Sequence, residues 1–171
     1  MDSKYLDWVE NAAVENFKMQ HHTADILAKE AGLTLAMLIA ALGGSTAYAV
    51  RAVTGSTPSA IEFGAVGLTI TLVLLSVLLV WRCLMIRPIP AIFNEPKNLL
   101  GEQLERYSFD EIRKFQLENM QDGIQEAGER NRRVAVNLSF VRMAAVISPI
   151  WFLVAFGYHW WGAAQTVAGA G

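Results

Sequence analysis

From Gly64 to Trp81 the chain carries no charged residue, and this run constrains the fold more than any other feature. At about 1.5 Å per residue, its helix approaches the roughly 30 Å of a bilayer's hydrocarbon core. Leu68, Leu72, Leu75 and Leu79 fall along one side, yet the other faces are also apolar. A helix without a polar face is suited to lipid or to complete burial in a bundle. Residues 31–53 and 138–161 have the same character less intensely. The expected fold is therefore all-α, with three spans at 31–53, 64–86 and 138–161. In a water-soluble domain, the 53% of residues that are hydrophobic would be spread over shorter amphipathic elements rather than gathered into three runs.

Ahead of the first span, residues 1–30 hold six acids and three lysines, which break up any secretory apolar core. Leu6, Val9, Ala13, Phe17, Ala24, Leu27 and Ala31 recur mainly at steps of three, four or seven. This spacing predicts an amphipathic helix that can continue into the first span, since neither proline nor glycine interrupts residues 4–31. His21 and His22 are adjacent, so their side chains diverge by about 100° and do not form a metal site. Within the first span, Ala36, Ala40 and Gly44 form a small-residue stripe of the kind that lets helix backbones approach closely. Its partner is either another span of this chain or the same helix of a second subunit. Thr34, Ser45, Thr46 and Tyr48 are expected to bond to helix carbonyls or to cross-helix neighbours.

Residues 54–63 form a short external loop whose Gly55 and Pro58 disfavour uninterrupted helix. Trp81 and Arg82 suit the polar boundary beyond the second span. Pro88, Pro90 and Pro96 predict a bent connector within residues 87–137. Further on, Ser108 and Glu111 have capping-box spacing. After them Ile112, Met120, Ile124, Ala127, Val134 and Leu138 supply an apolar face, predicting a helix from about residue 109 into the third span. Packed on the amphipathic start of the chain, it would cover both stripes, and the surface around Phe17 and Ile124 is expected to dock a cytoplasmic partner. Pro149 is expected to kink the third span, which closes in the aromatic belt Tyr158-His159-Trp160-Trp161 before a short tail at 162–171.

Ten of the 14 Lys and Arg residues fall between Arg82 and Arg142, among them Arg130, Arg132 and Arg133 just ahead of the third span. By the positive-inside rule this interval is cytoplasmic, which puts the N-terminus inside and the C-terminus outside, in the periplasm of a bacterial inner-membrane protein. The three arginines are expected to touch anionic headgroups or an acidic partner. With 14 basic and 16 acidic residues, the chain has no general attraction for nucleic acid. No nucleophile, base and oxyanion group can be assigned together, and no acidic metal pair or phosphate-binding glycine loop is evident, so no enzyme, cofactor or metal is expected. Cys83 is the sole cysteine and makes no intrachain disulfide.

Three short motifs, Ala28-Lys29-Glu30-Ala31-Gly32, Asn94-Glu95-Pro96-Lys97-Asn98 and Glu129-Arg130-Asn131-Arg132-Arg133, resemble small uncharacterised bacterial and prophage membrane proteins. In architecture the chain also resembles the membrane-spanning effectors of nucleotide-signalled antiphage systems, though it lacks their sensor. The expected role is a noncatalytic membrane scaffold or small oligomeric component, with membrane lipids and a second copy or another protein as partners. The resemblance implies an alternative, a regulated membrane-disrupting effector.

Overall fold

The computed structural model describes residues 3–55, 59–85 and 106–168. The proline-rich connector and the tip of the first loop, residues 56–58, lie outside them. Three long helices make up the described chain: α1, Ser3–Thr54; α2, Ala60–Leu79, extended by a π-helical turn over Val80–Leu84; and α3, Phe109–Ala168. All three are long and apolar enough to cross a membrane, and the described residues contain no strand. The expected all-α, three-span class is what the chain adopts. Helix α3 continues beyond Trp161 to Ala168, through residues that the sequence assigned to a short tail.

The start signals are local. Ser59 caps α2: its hydroxyl accepts from the Glu62 amide at 3.3 Å, and its own amide donates to Glu62 Oε2 at 2.8 Å. A reciprocal cap of this kind satisfies two donors that a helix N-terminus otherwise leaves open. Ser108 and Glu111 repeat the device ahead of α3. At the far end of α2, the Met85 amide donates to the Val80 carbonyl at 2.9 Å, five residues back, which widens the last turn.

The chain divides into two compact units. The first combines Met1–Leu27 with Ile86–Ala135. Its core contains Leu6, Phe17, Met120 and Ala127, so the two predicted amphipathic stripes cover each other. Phe17 is fully buried, which in water stabilises by about 1.5–3 kcal/mol. Polar bonds fix the register of this pair. Buried Asn131 donates its amide to the Gln20 backbone oxygen at 2.8 Å and to Gln20 Oε1 at 3.1 Å. Arg113 Nη2 donates to Asp7 Oδ1 and Glu10 Oε2, each at 2.6 Å, joining two acids that lie one turn apart on α1.

The second unit, Ala28–Met85 with Val136–Gly171, is a three-helix bundle. Its core takes Ala31 and Leu38 from α1, Leu72, Leu75 and Leu79 from α2, and Leu138 and Val141 from α3. Glycine brings α2 close to α3. A Cβ on Gly64 would stand 2.9 Å from the Phe152 ring and 3.1 Å from its carbonyl oxygen. Between α1 and α2, the Thr69 hydroxyl reaches Ser45 Oγ at 2.9 Å. Pro149 lies inside α3 and has no amide for the Ala145 carbonyl four residues back. The Ser148 hydroxyl donates to that carbonyl instead, at 2.7 Å. Outward from the bundle, Met37, Leu74, Val146 and Leu153 are each well over half exposed. An apolar surface of this extent suits a lipid solvent rather than water.

Candidate functional site

The small-residue stripe faces away from the bundle. Around α1, Ala31, Thr34, Leu38 and Ser45 are buried, whereas Ala36, Ala40 and Gly44 occupy the exposed arc. Among the described residues, nothing beyond the helix's own neighbouring turn comes within 4 Å of where a Cβ on Gly32, Gly43 or Gly44 would stand. No other span of this chain covers the stripe among the described residues. The backbone there is accessible from outside.

In the first unit, Phe17 and Ile124 sit differently from each other. Phe17 is wholly enclosed, with its ring 4.8 Å from that of His21, whereas Ile124 is half-buried. Phe17 thus supports the surface from beneath and does not itself present a contact, because the stripe that marks it as apolar also marks it as core. Exposed apolar area is found instead on Trp8 and Phe109, 66% and 73% exposed, with the Arg113 guanidinium 5.8 Å from the Phe109 ring. His21 Nε2 is buried without a hydrogen-bond partner, while His22 is exposed. Among the described residues no three His, Cys, Asp or Glu side chains gather as metal ligands. Arg133 pairs with Glu129 at 3.0 Å along α3. Arg130, half-buried, and Arg132, exposed, have no ion pair among the described residues.

A second polar feature lies in the bundle. Arg142 of α3 donates Nε–H to Thr34 Oγ1 at 3.0 Å, and Nη2–H to the Glu30 carbonyl at 3.2 Å and to the Glu30 carboxylate. Thr34 in turn donates to the same carbonyl at 2.8 Å. This cluster closes one end of a cavity of about 600 Å³ whose walls are otherwise almost wholly apolar, including Met37, Leu38, Leu72 and Val146. In the sequence Arg142 stands out only as the last of the basic residues ahead of the third span's uncharged run. The missed signal is positional: spans one and three run the same way, so an acid just before one and an arginine at the start of the other lie at the same level.

The geometry defines a class: an all-α chain with three helices long enough to span a membrane, an unfilled small-residue face and an amphipathic cavity. Compared with family models, curated proteins and solved structures, the chain gives no match.

Proposed function

We propose that this chain is a noncatalytic membrane scaffold, a small component of an oligomeric membrane complex. Its first span associates with a second copy through Ala36, Ala40 and Gly44, and its amphipathic helices dock a cytoplasmic protein. The observation that carries this reading is the open stripe on α1, where three small residues are exposed and the backbone beside Gly44 is uncovered among the described residues. Association between helices in lipid depends on close packing, since lipid tails are as apolar as the helix, and small residues allow that packing. Exposed Trp8 and Phe109 support the docking role, because aromatic anchors are enriched at protein interfaces. Arg130 and Arg132 add charge for anionic headgroups or an acidic partner. The setting is a bacterial inner membrane, with the N-terminus cytoplasmic and the C-terminus periplasmic.

The test is the mass of the gently extracted full-length complex with and without Ala36→Leu, Ala40→Leu and Gly44→Leu together. Three leucines on an exposed face leave the bundle core untouched and hold a partner helix away. A homo-oligomer that falls to monomer supports the reading. An unchanged mass refutes the interface, and signal-dependent dye leakage from vesicles would instead identify a membrane-disrupting effector.

A further inference from the structure

We propose that the cavity bounded by Glu30, Thr34 and Arg142 binds one acyl chain of a zwitterionic phospholipid whose phosphate and ammonium groups engage the Arg142–Glu30 pair. Charge complementarity carries the argument. An arginine side chain has five N–H donors. Nε and both Nη2 hydrogens are used on Thr34 and Glu30, which leaves the two Nη1 hydrogens open. Glu30 accepts through Oε2 and keeps Oε1 open. The mouth of the cavity therefore offers paired donors for an oxyanion beside an acceptor for a cation. A phosphoethanolamine head carries both groups. A singly anionic head would find its cation already compensated by Glu30.

The rest of the cavity fits the tail. From Glu30, the α1 wall reaches Ala41, eleven residues and about 16 Å further along the helix, and the opposing walls come from Leu68, Leu72 and Val146. A volume of about 600 Å³ lies within the range of small-molecule sites. The polar end coincides with the starts of spans one and three, and the apolar part runs along them, the orientation of a lipid in its own leaflet. A second copy's span is a poorer occupant, because residues 31–50, 64–81 and 143–168 contain no charge to meet Nη1 and Oε1.

The test uses the full-length protein in detergent, titrated with phosphatidylethanolamine or phosphatidylglycerol of matched acyl chains and read by native mass. The wild type is expected to retain one phosphatidylethanolamine per chain with about tenfold preference, the size of one charge-assisted hydrogen bond. Glu30→Gln, which frees the arginine charge, is expected to reverse the preference. Val146 lines the cavity and is 77% exposed, so Val146→Trp adds bulk at the cavity wall without disturbing the core, and is expected to abolish retention of both lipids. Equal retention of the two lipids by the wild type, or retention unaffected by Val146→Trp in protein of unchanged helicity, overturns the proposal.

Discussion

At the scale of single residues, the ends and seams of the helices are set by a few polar groups. Glu111 shows how. Its carboxylate accepts from the Ser108 amide and hydroxyl, each at 2.8 Å, and these bonds, the backbone one first, hold its pKa below the ordinary 4.5. A depressed folded-state pKa contributes stability that is fully present above the unfolded value and is lost as pH falls through the folded one. The start of α3 is therefore expected to fray below about pH 4.5 and to hold at neutral pH. Amide-exchange protection at Ile112, corrected for intrinsic rate and followed on acidification, checks this. Glu111→Gln keeps the acceptor but cannot titrate, so its protection is expected to stay flat with pH. Parallel loss in wild type and variant would show that the cap is not the titrating element. Asn131 acts differently, since its amide satisfies Gln20 without any charge. That bond is expected to persist across the acid range.

At the scale of elements, the spacing between helices is set by what stands where a side chain would be. Gly64 has no room for a methyl group, whereas the nearest neighbour of a Cβ on Gly67 is Ala155 Cβ at 3.7 Å, ordinary contact. Gly64→Ala is expected to destabilise the bundle by about 1–3 kcal/mol, because the Phe152 backbone must move as well as its ring. Gly67→Ala is expected to be neutral or to gain up to about 1 kcal/mol from helix propensity. Unfolding of both variants in denaturing detergent separates the cases, and equal effects would mean that α2 and α3 do not meet at Gly64. This seam was hidden in the sequence, where Gly64 only marks where the apolar run begins. The faces of α1 and α3 were legible, since amphipathic periodicity records burial directly: Leu6, Phe17, Met120 and Ala127 are all core. The cap at Ser59 was also written in the chain as Ser-x-x-Glu, but the apolar run drew the start of the second span four residues later. The Arg142–Glu30 pair needed topology as well as composition, because 112 residues separate its members.

At the scale of the whole molecule, the distribution of charge argues for one orientation of the three proposed spans. Moving a cluster of arginines through hydrocarbon is costly, so the side that retains them is decided during insertion. Seven of the ten basic residues between Arg82 and Arg142 precede Arg132 and stand with it in or beside the interval joining spans two and three, against a single Arg51 at the far end of span one. On the proposed topology, both ends of that interval share a side with the N-terminus, and the first loop faces the opposite compartment. In a Cys83→Ser background, single cysteines placed at exposed Val53 and Asn119 report this directly. A membrane-impermeant maleimide added to intact cells is expected to label position 53 and to reach position 119 only after lysis. On that proposed topology the proposed lipid site, with Glu30 and Arg142 at the starts of their spans, would meet headgroups of the cytoplasmic leaflet. Labelling of position 119 in intact cells would invert the topology and move that site to the other leaflet, while leaving the chemistry of the cavity and the open stripe on α1 unchanged.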